Sequence, residues 1–317
     1  MSASPISVVI CAYTLARWDE IVEAVASVEA QDTEHEIILV VDHNEELLER
    51  ALARWPEHRV VANDSRRGLS GARNTGVSAA RGELVAFLDD DAAAEPHWLS
   101  RLVAPFADPR VVCVGGGSRP VWPEGRGGGM YPAELYWIVG SSYTGLPTEQ
   151  REVRNVIGCS MVFRRSVLLE LGGFDLDTGR IGRFPLGCEE TELCIRVRQA
   201  DPDARILYEP TSSVRHRVSA DRVTWRYLSR RSFYEGVSKA GLARKHGSGD
   251  ALSSERSYVA SVLPRALARE ATAIGRGGAA RGTAIVLSLL AAGAGYVYGR
   301  VARVDAAARA PRIEVAV

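Results

Sequence analysis

The chain has 317 residues, 46% hydrophobic and 25% charged, a balance that supplies one large core or two smaller ones and excludes a disordered polymer. Its 39 basic and 39 acidic residues cancel, which argues against nucleic acid as a partner and leaves any anion binding to local groups. Five cysteines, Cys11, Cys113, Cys159, Cys188 and Cys194, are odd in number and lack paired metal-ligand spacing, so they read as reduced packing residues of a cytosolic chain.

Met-Ser-Ala-Ser-Pro leads straight into the β-branched run Ile6–Cys11, which reads as a first strand rather than a secretion signal. Trp18, Ile21, Val22, Val25 and Val28 then recur at helical spacing over 18–30. Ile37–Val41 is a second strand ending at Asp42, and Glu45–Trp55 a helix closed by Pro56. A short strand at Val60–Ala62 and a helix at Leu69–Ala80 follow. Leu84–Leu88 is an apolar run of the kind buried on both faces, and it stops at Asp89, Asp90 and Asp91. Repeated strand-helix units without hairpin signals predict an α/β fold with a mostly parallel, Rossmann-like sheet and helices on both faces.

After a helix over 96–106 and a strand at Val111–Val114, the pattern loosens. Gly115–Gly117 and Gly125–Gly129, with Pro120, Pro123 and Pro132, predict an irregular, mobile segment to about Thr148. Its Trp122, Tyr131, Tyr136, Trp137 and Tyr143 are either core or an acceptor platform. Strand-like Val156–Phe163, a helix at Ser166–Leu171 and a glycine-bearing loop precede a helix over Glu189–Gln199. Short strands at Ile206–Tyr208 and Ser213–Val218 carry His216, and Val223–Leu242 returns to helix. Thr283–Gly299 is uncharged and apolar between Arg276 and Arg281 on one side and Arg300 and Arg303 on the other. It is at the lower limit for a bilayer span, and a buried or interfacial helix is the other reading.

Three adjacent aspartates repel one another, so they belong in water or around a cation. In an open α/β sheet they sit where ligands collect, outside the carboxyl ends of the strands. A solvated turn with helix-capping acids is the plainer alternative. Asp42, at the end of the second strand, suits a ribose or base contact or a helix cap. Arg73, in the helix start Gly68–Gly76, could offer a guanidinium to a phosphate or simply face solvent. Glu189 and Glu190 open a helix, where acids are common for dipole reasons, yet a carboxylate there could also serve as a base. His216 is a plain strand histidine or a nitrogen ligand to a cation.

Taken in order, these parts resemble the family 2 glycosyltransferases with the GT-A fold. The resemblance rests on Cys11-Ala12-Tyr13-Thr14, the strand ending at Asp42, Gly68–Gly76, Asp89-Asp90-Asp91, Gly172-Gly173-Phe174-Asp175 and Cys188–Leu193, and spans about three quarters of the chain. Within the family the chain looks most like the branch that transfers glucuronate to a glucosyl dolichyl-phosphate, through Val153–Gly158, Glu189–Leu193 and Arg226-Tyr227-Leu228.

The resemblance implies a GT-A domain over residues 1–242, with a nucleotide-sugar half at 1–118 and an acceptor and catalytic half at 119–242. Beyond the resemblance, 243–317 reads as a helical tail that either meets a membrane surface or packs as a buried helix. The resemblance also implies that Ala12, Tyr13, Asp42 and Arg73 form the nucleotide pocket. Asp91, with Asp89 and His216, would hold Mg²⁺ or Mn²⁺, Asp89 would also face the ribose or sugar, and Asp90 would share either role. Glu190, where the family carries aspartate, would be the base, with Glu189 as competitor. The implied activity is inverting, metal-dependent transfer from a nucleotide sugar, UDP-linked by expectation, to a glycan or lipid-linked acceptor, in the cytoplasm or at the cytoplasmic face of the membrane. A non-catalytic nucleotide-sugar-binding protein and a transferase with a small soluble acceptor are the alternatives. A dinucleotide-dependent oxidoreductase is demoted because Gly-x-Gly-x-x-Gly is absent after the first strand.

Overall fold

The computed structural model describes residues 6–124, 129–179 and 187–301. Its first half is the alternation that the apolar pattern dictates: β1 (Ile6–Ala12), α1 (Trp18–Glu29), β2 (His35–Val41), α2 (Glu45–Arg54), β3 (Arg59–Ala62), α3 (Leu69–Ala79) and β4 (Leu84–Asp89). These four strands pair in parallel in the order β3-β2-β1-β4. Because side chains alternate along a strand, β1 sends Val8 and Ile10 into one core and Val9 into another. The first core packs β1 against Ile21 and Val25 of α1. The second packs it against Phe87, Phe163, Phe174 and Leu193.

Later strands depart from the parallel pattern. β5 (Ala92–Ala94), α4 (Trp98–Val103), β6 (Val111–Val121), β7 (Arg151–Glu152), β8 (Ser160–Arg164), α5 (Arg165–Glu170), α6 (Glu189–Ala200) and β9 (Arg205–Arg217) extend the sheet as β4-β8-β6-β9-β5, with β7 also on β9. β8 runs antiparallel to both β4 and β6, β9 is parallel to β6, and β5 is antiparallel to β9. The α/β class stands, with a mixed sheet in its second half.

Three expectations are corrected here. Gly115–Gly117, read as too irregular for structure, lie inside β6, because a Cβ at Gly115 would overlap Val156 and one at Gly116 would overlap the Ser160 hydroxyl. Residues 125–128, part of the glycine-rich stretch, lie outside the described residues. The two short strands carrying His216 are one strand, β9, with its register shifted between Glu209 and Ser213. The aromatic segment is ordered as a 3₁₀ turn, Ala133–Val139, with Trp122 stacked 5.6 Å from Tyr131.

The C-terminal part is α7 (Trp225–His246), α8 (Ser248–Ser257), α9 (Leu263–Thr272) and α10 (Gly278–Val301). α7 therefore runs four residues past position 242. Leu228, Leu263, Ala284 and Ile285 share a core with Tyr131, Leu135 and Ile138. α10 lies on α7 at backbone contact: a Cβ at Gly236 would overlap the Ala292 carbonyl, and one at Gly295 the Phe233 carbonyl. Arg281, one of the flanking arginines, is committed to Glu270 at 2.7 Å, and Arg303 lies outside the described residues. Length and composition alone would allow α10 to cross a membrane. Gly295→Ala should push α10 off α7 and destabilise the protein by about 1–3 kcal/mol, the usual cost of overpacking, read as a lower Tm and faster proteolysis of the C-terminal helices.

Candidate active site

β2 and β3 lie to one side of β1 and β4 to the other, so the sheet order switches at the carboxyl ends of β1 and β4. A cavity of about 820 Å³ opens there. Every site residue singled out in the sequence lines it: Ala12, Tyr13, Asp42, Arg73, Asp89, Asp90, Asp91, Glu189, Glu190 and His216.

Asp42 follows β2 and is held from two sides. Asn63 Nδ2 donates to its Oδ1 at 2.6 Å, and the Gly68 amide donates to Oδ2 at 3.0 Å. Ala12 ends β1 in the floor, while Tyr13 is half exposed at the rim with its ring 5.5 Å from the Arg17 guanidinium.

Two of the three aspartates are not in water. Asp90 is 4% and Asp91 7% exposed. Arg17, which no motif marks, brings Nη1 to 2.6 Å from Asp90 Oδ1 and 3.1 Å from Asp91 Oδ2. Arg222, equally unforeseen, lies 3.7 Å from Asp91 Oδ2. Strand pairing does the rest: Ala92 of β5 sits opposite His216 of β9, and His216 Nε2 lies 3.0 Å from Asp91 Oδ1. Burial pushes the Asp91 carboxyl up, but the charge and hydrogen bond of His216, with Arg17 and Arg222, outweigh it and hold the group well below the usual carboxylate range. Asp90 goes the other way. Burial, with Asp91 and Asp89 adding to it against Arg17, pushes it up to about 7. Ligand atoms of Asp89, Asp91 and His216 all fall within 4.8 Å of one another.

Arg73 is 2% exposed and is spent inside the protein. Its Nη1 donates to Glu189 Oε1 at 3.0 Å, and its Nη2 donates to Asp89 Oδ1 at 3.2 Å and to the Gly158 carbonyl at 3.0 Å. One buried guanidinium thus ties the acid cluster to the start of α6. Cys188 precedes that helix in the left-handed region, φ 77°, which a non-glycine side chain adopts at a cost. With Glu189 bound to Arg73, the neighbouring Glu190 remains at the cavity wall. Burial and the adjacent Glu189 push its carboxyl up to about 7, against Arg73 and Lys239. Glu192 instead pairs with Arg196 at 2.8 Å and Lys245 at 3.0 Å, and is not part of the cavity lining.

The Glycosyl transferase family 2 pattern matches residues 7–172. The chain is 38% identical over 239 residues to the glucosyl-dolichyl phosphate glucuronosyltransferase of Haloferax volcanii, covering 74% of this chain and 76% of that one. It is 34% identical over 196 residues to the pre-mycofactocin glycosyltransferase of Mycobacterium tuberculosis, covering 59% of this chain but only 37% of that protein. Among solved structures, a mannosyltransferase from Pyrobaculum calidifontis in complex with GDP-Man and Mn²⁺ superposes with a TM-score of 0.61 at 19% identity, over 94% of this chain and 88% of that one. At that identity the superposition speaks for the GT-A fold alone. With more than half its length inside the family pattern and a relative 38% identical over 74% of it, this chain belongs to Glycosyl transferase family 2 and is a glycosyltransferase.

Proposed function

We propose that the chain moves a sugar, with inversion, from a nucleoside-diphosphate donor to a hydroxyl of a lipid-phosphate-linked glycan. The observation that carries this is one cavity in which Asp89, Asp91 and His216 converge while Glu190, poised near neutrality, lines the same space. The names of the similar proteins support both halves of the reading: a glucosyl-dolichyl phosphate glucuronosyltransferase for the acceptor, and an enzyme solved with GDP-Man and Mn²⁺ for the donor. A lipid-linked acceptor in turn suggests work at a membrane surface, with α10 as the apolar element nearest to it.

Two carboxylates and one imidazole nitrogen, with the His216 Nδ1 buried and unpartnered among the described residues, fit a divalent cation. Imidazole in the set favours Mn²⁺ over Mg²⁺, which prefers an all-oxygen shell. When bound, such an ion supplies positive charge against the departing diphosphate. The protein's own groups do the remainder. Asp42, clamped by Asn63 and Gly68, presents an oriented carboxylate to the nucleoside. Arg73 fixes Asp89 and Glu189 relative to each other. Glu190 takes the proton of the attacking acceptor hydroxyl, and a single displacement leaves no sugar on the enzyme.

The test is product stereochemistry by NMR with an α-linked nucleotide sugar. The expected product is β-linked, its formation stops with EDTA, and Mn²⁺ restores it. An α-linked product, or transfer indifferent to EDTA, would overturn the reading.

A further inference from the structure

Along the wall from the acids, the same cavity holds a second charged cluster that the transfer chemistry does not use. α7 presents Arg231, Glu235 and Lys239 at four-residue intervals on one face, joined by Arg154 and Glu255. Arg231 Nη1 lies 2.7 Å from Glu235 Oε2. Lys239 Nζ lies 2.7 Å from Glu255 Oε1 and 3.6 Å from Glu235 Oε1. Arg154 donates to both oxygens of Glu255, at 2.5 and 2.8 Å. Three cations here face two carboxylates, so one positive charge is left over within the group. A surplus positive charge lining a cavity is favoured when an anion enters beside it.

The cations stay charged. Burial pulls Lys239 down, but Cys188, Glu255 and Glu235 outweigh it and hold the ammonium well above its usual range. The Arg231 guanidinium lies 5.8 Å over the Trp137 ring. Further along, the wall turns apolar, with Val259 and Leu263 facing Leu289, Ala292 and Tyr296 of α10. The outer side of α10 continues that surface, with Leu290 66% and Val297 61% exposed.

Resting on the transferase reading above, we propose that Arg231, Lys239 and Arg154 seat the phosphate of a lipid-linked glycosyl phosphate acceptor, whose hydrocarbon chain leaves along Leu289, Ala292 and Tyr296. The surplus positive charge selects an anion. The apolar exit selects a hydrocarbon tail over a free sugar phosphate. The Lys239 charge also acts on Glu190, so the seat is within electrostatic reach of the group that takes the acceptor's proton.

The experiment compares three acceptors: glucosyl phosphate bearing an isoprenoid chain, the same phosphate bearing a methyl group, and methyl glucoside. For the unaltered chain KM should rise in that order. Lys239→Gln and Arg231→Gln should each raise KM for both phosphates by about tenfold or more, the loss typical of one charge-assisted hydrogen bond, and for methyl glucoside by a smaller factor. Lys239→Arg should restore most of the loss, which separates charge from folding, and melting curves verify that each variant is folded. Leu289→Asp should weaken only the isoprenoid acceptor.

Equal KM for methyl glucoside and methyl glucosyl phosphate, or glutamine variants that slow all three acceptors alike, would overturn the anion seat. Equal KM for the two phosphates would overturn the apolar exit. If the unaltered chain releases nucleoside diphosphate from its donor yet glycosylates none of the three, the acceptor part of the proposed function fails, and this inference with it.

Discussion

Glu190→Gln is expected to cut turnover about 100- to 10,000-fold, the range of general-base contributions, with donor KM little changed, while making the protein more heat-stable at pH 8. The two effects share one cause. A carboxyl ordinarily near 4.5 is pushed up to about 7 by burial and by Glu189. Below 4.5 both folded and unfolded chains hold the proton, and no cost arises. Between 4.5 and 7 the folded chain keeps a proton that the unfolded chain gives up, so stability falls as pH rises through that window. Above 7 the full cost of a buried carboxylate is present, about 3 kcal/mol for a shift of this size. Glutamine removes that cost along with the base.

The same shift predicts the rate profile of the unaltered chain. Transfer should fall about tenfold per pH unit below about 7, because only the ionised carboxylate accepts a proton. Scanning calorimetry at pH 5 and pH 8, beside kcat over the same range, checks both halves. Glu190→Gln should gain Tm at pH 8 but not below pH 4.5. A variant with near-normal turnover, set against a Glu189→Gln chain that has lost it, would move the base to Glu189. The geometry argues otherwise, since Glu189 Oε1 already accepts a hydrogen bond from the buried Arg73 guanidinium at 3.0 Å.

The parts of this site that were legible in the sequence are those governed by neighbours along the chain. A parallel strand buried on both faces is a continuous apolar run, so β1, β2 and β4 could be located to within a residue or two, and with them Asp42 and Asp89 at their ends. Glu189 and Glu190 were placed for the same reason, since α6 begins where the acids begin. What stayed hidden depends on residues far apart in sequence. Arg17 lies in a short turn before α1, and only the fold brings it to Asp90, 73 positions away. The three aspartates read as belonging in water or around a cation because their partners come from separate segments: Arg17, Arg222 and His216 for Asp90 and Asp91, and Arg73 for Asp89. β6 was cut short at Gly115 because glycine in a strand signals weakness unless one knows that Val156 crosses against it.

That hidden burial alters what substituting Asp91 should do. In the sequence, Asp91 is one of a triplet expected in water or around a cation, with nothing to mark it as a buried partner of distant residues. In the structure it is 7% exposed and held by two guanidinium groups and an imidazole, so Asp91→Ala strips a buried carboxylate from Arg17, Arg222 and His216 together. Breaking one partner of a buried ion pair costs about 3–5 kcal/mol, enough to confuse lost folding with lost chemistry. Asp91→Asn is the cleaner substitution, because its amide oxygen still accepts from His216 or Arg17 while its charge is gone. Turnover should drop at least about 100-fold, since an amide is a weak ligand for a hard cation and the anionic donor set falls from two carboxylates to one. The decisive readout is independent of turnover. With Mn²⁺ and a nucleoside diphosphate at about 100 times their dissociation constant, the unaltered chain gains about 2.7 kcal/mol of stability and a higher Tm. Asp91→Asn should lose that gain while keeping most of its Tm without ligand. Asp90→Asn, which replaces a carboxyl already pushed up to about 7 and paired with Arg17, should keep most of the gain. If the two asparagine variants respond to Mn²⁺ alike, the ion is not held by Asp91, and the set of Asp89, Asp91 and His216 has another role.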